Sequence, residues 1–309
     1  MGKTKSNFKR SNKITFNLSL LILILLFTNI IITINLIELR KQKDFEIYSI
    51  KNILSEIKKE YTNKLGNVEH LSDNINNIEN VENSITNIKK DFFENALKYE
   101  TMVSQGKGNK KIAYITIDDG PYSYTPAFLD VLDKYDVLAT FFLLGKTKDE
   151  YDSIYKKIAN SGHTIANHTY SHAIRNGLYT SVDSFVNDVL KQEKFLYEKT
   201  GVKTNILRFP GGSSSAKAGF RYKILERLRT QNYGYIDWNV SSGDAGGKPT
   251  RESVYNNVIN GAKNKNIIVI LMHDFSKATL SALPSIIEGL RKNDYIFLPL
   301  FYNSSMIIK

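Results

Sequence analysis

Two carboxylates stand side by side in Thr116–Pro121 (TIDDGP), two imidazoles stand four residues apart in His168–His172 (HTYSH), and a third imidazole, His273, closes the run LMH. Carboxylate and imidazole are the donors a protein offers to a hard or borderline cation, and the chain has no cysteine, which excludes disulfides, a thiol nucleophile and thiolate metal sites. At a spacing of four, His168 and His172 would lie on one side of a helical turn and could grip one ion. With one aspartate they complete an Asp/His/His set. Three protein ligands and a position left for water make the arrangement of a catalytic rather than a structural metal. Asp118 and Asp119 leave their strand in succession, so they should point to different faces: one can bind a cation while its neighbour acts on another atom, although a polar turn has the same composition. His273 has its ordinary pKa close to working pH and suits protonation of a leaving amine or alkoxide, with a capped strand end as the plain alternative. Arg208 in RFPGG and Asp244 in SSGDA also sit at strand ends, where a surface ion pair is the alternative. His163 in SGHTIAN reads as a packing or neighbouring residue rather than a fourth ligand, and His70 is given no role.

These residues need elements to hold them. From Lys111 onward, short apolar runs (KIAYITI, LATFFLL, HTIAN, NILRF, YGYIDWNV, NIIVILM and YIFLPL) alternate with amphipathic segments at Ser181–Thr200, Phe220–Gln231, Arg251–Lys263 and Ala278–Lys292. Alternation of this kind predicts an α/β fold of βα units around a parallel sheet, open or closed into a barrel, with chemistry gathered at the C-terminal ends of the strands. The motif residues fall at those ends.

Upstream the texture differs. The 309 residues carry a net charge of +11, divided as +5 in residues 1–14, −1 in 38–108 and +7 in 109–309. Residues 14–37 hold 24 positions without a charge, enough for a helix to cross a bilayer, and no small-residue cleavage site follows; the basic leader, residues 1–13, places the N-terminus on the cytoplasmic side and the rest outside the cell membrane. Over 38–98, apolar residues from Ile47 to Phe92 recur every 3.5 residues or so, the period of a coiled-coil seam, which predicts a helical stalk able to self-associate; Gly66 leaves room for two shorter helices folded back on each other. Residues 99–110 lose the period and read as a linker to the domain at 111–309. An outward-facing body with its densest positive charge in the leader is a poor nucleic-acid binder.

In their order along the chain, TIDDGP, HTYSH, RFPGG, SGDA and LMH resemble the five motifs of the NodB-type polysaccharide deacetylases, carbohydrate esterase family 4, over residues 109–309. The resemblance implies a distorted (β/α) barrel of about seven strands. It also implies hydrolytic removal of acetyl groups from N- or O-acetylated glycans with one divalent metal, zinc before cobalt or another ion. It further implies Asp119, His168 and His172 as metal ligands, Asp118 as general base and His273 as general acid, with Arg208 and Asp244 orienting that pair. Leu271 would line the pocket for the acetyl methyl, and the main-chain N–H of Tyr122 would help to hold the oxyanion. Two places depart from the family pattern: Ala245 stands where many members have Trp, and Gly211 and Gly212 follow Pro210 in place of an aromatic residue. Trp238, the only tryptophan, lies in an expected strand and is expected in the core rather than on the groove. The expected substrate is peptidoglycan N-acetylglucosamine. Biofilm poly-N-acetylglucosamine, chitin oligomers, acetylated xylan and a non-catalytic wall-binding scaffold are the alternatives.

Overall fold

The computed structural model describes residues 94–308, all within one compact unit. The expected leader, membrane helix and almost all of the expected stalk lie outside the described residues, among which no helix is long and apolar enough to cross a membrane.

Eight strands are present: β1 (Lys111–Gly120), β2 (Thr140–Leu143), β3 (Thr164–Asn167), β4 (Ile206–Leu207), β5 (Gly234–Tyr235), β6 (Val240–Ser241), β7 (Ile267–His273) and β8 (Tyr295–Phe297). The helices are α1 (residues 94–104), α2 (Thr125–Lys134), α3 (Asp152–Asn160), α4 (Val182–Thr200), α5 (Ala218–Arg229), α6 (Arg251–Ala262) and α7 (Lys277–Lys292). Every ladder between the strands is parallel, in the order β5-β4-β3-β2-β1-β7-β6, with β8 paired beside the first three residues of β1. The expected α/β fold and strand count near seven are what is found, with β8 as a short eighth. α2 and α3 lie outside the segments expected to be helical. Their apolar stripes are short, and Pro126 at the start of α2 reads as a breaker although it suits a first helical turn.

The segment YGYIDWNV is two strands rather than one. β5 forms one edge of the sheet order and β6 the other, and the four residues between them cross the gap. Ile236 N–H donates to Leu207 C=O on one side at 3.0 Å and Asn239 N–H to Val269 C=O on the other at 3.1 Å. Among the described residues no ladder joins β5 to β6, so the sheet is a curled parallel half-barrel whose two edges are linked by a single crossing of chain.

Side-chain alternation separates an inside from an outside. On β1, Ala113, Ile115 and Ile117 pack outward with residues of α2, α6 and α7, whereas Ile112 and Tyr114 face inward with Phe142, Ala166, Ile206 and Val269. Continuing the inward series, Thr116 and Asp118 follow Tyr114, and Leu271 and His273 follow Val269. The inner column is therefore apolar at its floor and polar at its mouth.

Residues 99–104, expected within a linker, are helical and belong to the fold. Ala96 and Val103 pack with Ile112, Tyr114, Leu300 and Ile307 beneath the barrel. Glu100 is fully buried there and accepts from Ser305 N–H at 2.8 Å and Ser305 Oγ–H at 2.7 Å. Periodicity was a poor guide because only a few positions of this last stretch face the barrel. A chain without residues 94–104 exposes that floor, and it is expected to melt several degrees below one starting at residue 94. Equal melting temperatures would exclude α1 from the fold.

Candidate active site

The two adjacent aspartates reach the same space because β1 does not end as a regular strand. Its register with β2 slips between Asp118 and Gly120, and Asp119, the extra residue, adopts φ 69°. A bulge of this kind re-aims one side chain relative to its neighbours. Simple alternation predicts opposite faces for Asp118 and Asp119, yet Asp118 Oδ2 lies 3.7 Å and Asp119 Oδ1 3.4 Å from the same His168 Nε2. Gly120 is required on leaving the bulge, since a Cβ there would come within 2.6 Å of Asp274 Oδ2.

His168 and His172 are not on a helical turn. Residues 168–172 form an irregular loop in which Thr169 (φ 67°) and His172 (φ 52°) take left-handed conformations. Side-chain acceptors hold it: Asn167 Oδ1 takes the Thr169 N–H at 2.9 Å, and Asp188 Oδ1 on α4 takes those of Tyr170 and Ser171 at 2.7 and 2.9 Å. The two rings still converge, with centroids 5.0 Å apart. His168 Nδ1–H donates to the Arg208 carbonyl at 2.8 Å, which leaves the Nε2 lone pair free for a cation.

Asp119, His168 and His172 place one donor atom each within 4.8 Å of one another. Asp119 Oδ1 stands 3.4 Å from His168 Nε2 and 3.3 Å from His172 Nε2, and it is buried without a hydrogen-bond partner. Ligands at bond lengths of 2.0–2.1 Å around a tetrahedral ion are separated by about 3.3 Å, so the residues present fit a zinc-like cation. Burial works against an ionised Asp119, but His168, His172 and His273 hold its pKa down to about 2. Burial and the neighbouring His168 push the His172 pKa down, favouring the neutral ring that coordination needs.

Asp118 and His273 flank this set, each held from behind by an ion of opposite sign. Asp118 Oδ1 accepts from Arg208 Nη1 at 2.7 Å, and Arg208 is fully buried. The same Nη1 donates to Thr116 Oγ1 at 2.7 Å, while Nε and Nη2 donate to the Ile236 and Asp237 carbonyls at 3.2 and 3.3 Å. On the other flank, His273 Nδ1–H donates to Asp244 Oδ1 at 2.8 Å, and Nε2 faces Asp119 Oδ2 at 3.9 Å. Burial alone would lower the His273 pKa. The Asp244 hydrogen bond and charge, with Asp118 and Asp119, outweigh burial and raise it. Asp244 Oδ2 also accepts from His273 N–H at 2.8 Å and from Thr279 Oγ–H, in the first turn of α7, at 2.6 Å. Arg208 and Asp244 are thus buried partners of the site and not surface ions.

Leu271 is half-exposed on the inward face of β7 between Val269 and His273. The Tyr122 N–H, expected at the oxyanion, instead donates to Thr125 Oγ1 at 2.7 Å, and Thr125 Oγ–H donates to Asp274. His163 packs on Phe141 near the floor end of β3 and accepts the Ala139 N–H at 3.1 Å, well removed from the metal-ligand set. Trp238 is half-buried against the inner apolar cluster, and Gly212 admits it: a Cβ at Gly212 would lie 3.2 Å from Trp238 Cη2. Thr116 stood in the TIDDGP motif without an assigned role, and Thr125, Asp274 and Thr279 had no role legible in the sequence. Each acts through a partner 35 to 154 residues away.

Residues 105–229 match the family model described as polysaccharide deacetylase. A peptidoglycan-N-acetylglucosamine deacetylase of Bacillus cereus is 33% identical over 211 residues, covering 65% of this chain and 71% of that protein. The structure is similar to the catalytic domain of peptidoglycan N-acetylglucosamine deacetylase from Eubacterium rectale, with TM-score 0.60 and 40% identity, covering 64% of this chain and 92% of that one. It is also similar to a Streptococcus mutans CE4 esterase, with TM-score 0.58 and 31% identity, covering 65% of this chain and 90% of that one.

Zinc added to the metal-free protein at a hundredfold excess over its dissociation constant should stabilise the fold by about 2.7 kcal/mol, read as a rise in melting temperature. Asp119→Ala should remove the rise. A rise of equal size in the variant would place the ion elsewhere.

Proposed function

Because the chain belongs to the polysaccharide deacetylase family, we propose that it hydrolyses the acetamide of N-acetylglucosamine in cell-wall peptidoglycan, with Asp119, His168 and His172 holding a divalent ion, zinc by preference. The observation that carries the reading is the placement of Asp118 and His273 on two sides of one donor set, within 3.7 Å of His168 and 3.9 Å of Asp119 respectively. A carboxylate and two imidazoles as ligands, an open position, and a further carboxylate and imidazole as base and acid are what zinc-type hydrolysis asks for. The substrate rests on the activities for which the similar Bacillus cereus and Eubacterium rectale proteins are named, and the +7 charge of residues 109–309 favours encounter with an anionic wall.

The ion, when bound, supplies polarisation of the acetyl carbonyl and a more acidic water. The remaining steps belong to the protein. Asp118, with Oδ1 fixed by Arg208, presents Oδ2 to the attacking water and takes its proton as the O–C bond forms. His273, with Nδ1–H fixed on Asp244, delivers the proton on Nε2 to the sugar nitrogen as the C–N bond breaks, leaving acetate and a free amine. Base and acid must hold opposite protonation states together, and each has its own buried counter-ion to ensure it. The Tyr122 N–H would join the oxyanion only by leaving Thr125.

The same proposal includes the upstream chain. Its 24 uncharged residues at 14–37 support a single membrane anchor with the leader inside and the enzyme outside, and the period of 38–98 supports a stalk able to pair with a second copy.

Mass spectrometry of wall fragments incubated with the zinc-loaded protein should show loss of acetyl mass, and unchanged fragments would end the reading. Asp118→Asn should lower kcat by roughly 10²- to 10⁴-fold. The raised His273 pKa means that activity falls on the alkaline side, as pH climbs through that pKa and the acid is lost. Asp244→Asn removes the charge that raises it, so the alkaline limb of the pH–rate profile should move to lower pH. A limb that stays in place would assign the titration to another group.

A further inference from the structure

Phe275 lies two residues beyond His273, half-exposed, where β7 turns towards α7. Its ring stacks on the His273 imidazole, with centroids 4.9 Å and planes 29° apart, and meets Tyr122 at 5.4 Å and 77°. Neither Phe275 nor Tyr122 belongs to any of the three apolar clusters. Folding therefore gives no account of a large apolar ring kept partly in water beside the proton donor. Lys146 fixes the neighbouring ring: its Nζ lies over Tyr122, 3.0 Å from the centroid, and donates to the Pro121 carbonyl at 3.0 Å. Among the described residues no further ring or cation contacts Phe275. The two positions where an aromatic groove wall was expected carry Gly211 and Ala245 instead.

We propose that Phe275 is the stacking surface for the pyranose whose nitrogen receives the His273 proton. The assignment rests on the deacetylase reading above. A ring packed on the face of the acid stands beside the leaving nitrogen, and a sugar presents an apolar C–H face of matching size, so contact there registers the amide against Nε2. Phe275 thus replaces, from the end of β7, the wall that residues 211 and 245 do not provide. Its role is to bind and align the glycan, and the reaction's proton transfers are unchanged by it.

The test uses the full-length, zinc-loaded chain and soluble peptidoglycan glycan strands, with kcat and KM measured across pH for Phe275→Leu and Phe275→Trp. Leucine keeps much of the apolar area but loses the aromatic face, so Phe275→Leu should raise KM by about twofold to tenfold. The alkaline limb should keep its position, and Phe275→Trp should restore KM. An active wild type with unchanged KM in Phe275→Leu overturns the assignment alone. So does a loss confined to kcat with a displaced alkaline limb, since the ring would then act through His273. A wild type that releases no acetate overturns the deacetylase reading itself, and this assignment with it.

Discussion

Arg208 carries a full charge with no access to solvent, a state tolerable only if its donors find partners. Those partners define the active half of the molecule. Nη1 serves Thr116 and Asp118 of β1, while Nε and Nη2 serve the Ile236 and Asp237 carbonyls in the chain that crosses the barrel seam. Its own carbonyl fixes the tautomer of His168, and its guanidinium lies 4.1 Å from the centre of the Phe142 ring. One residue therefore supplies bonds where the sheet has no ladder, holds the proposed base through its guanidinium and orients a proposed metal ligand through its carbonyl. Leaving either member of the Arg208–Asp118 pair alone in that interior costs on the order of 3–5 kcal/mol, so fold and chemistry at the seam are difficult to separate.

The other flank follows the same logic with the signs reversed. Asp244 is buried, accepts three hydrogen bonds, two of them from His273, and raises the pKa of the imidazole where burial alone would lower it. The proposed base has a buried cation as its neighbour and the proposed acid a buried anion, so opposite charges stand behind two groups within one small volume. Asp274, adjacent in sequence to the acid, goes the other way: burial pushes its carboxyl up to about 6, with Thr125 and Lys146 only partly opposing. That carboxyl anchors the turn after the bulge and stands apart from the acid–base pair.

The legible parts of this protein were those written in periods and in residue types. The strands KIAYITI and NIIVILM and the helices near 181–200, 251–263 and 278–292 showed as apolar runs and stripes, and Asp119, His168 and His172 showed through donor chemistry. What escaped depended on backbone detail or distant partners. The bulge at Asp119 cancels the alternation that would separate two neighbouring acids, and the HTYSH loop reaches ligand geometry through left-handed residues rather than a helix. β5 and β6 read as one strand because Ile236, Asp237, Trp238 and Asn239 between them alternate apolar and polar as a half-buried strand does. Residues 99–104 of α1 read as a linker because the packing of Val103 with Ile112, Leu300 and Ile307 is decided by the barrel it covers.

Parallel strands give the barrel a direction, and α1 packs at the end where they start while the ligand set sits where they finish. The segment that begins at residue 94 thus ends in a plugged base made of apolar contacts and the buried Glu100, with the length of β1 between it and Asp118 and Asp119. What disturbs α1 therefore reaches the floor of the sheet first, and the candidate site lies at the opposite rim of the same barrel.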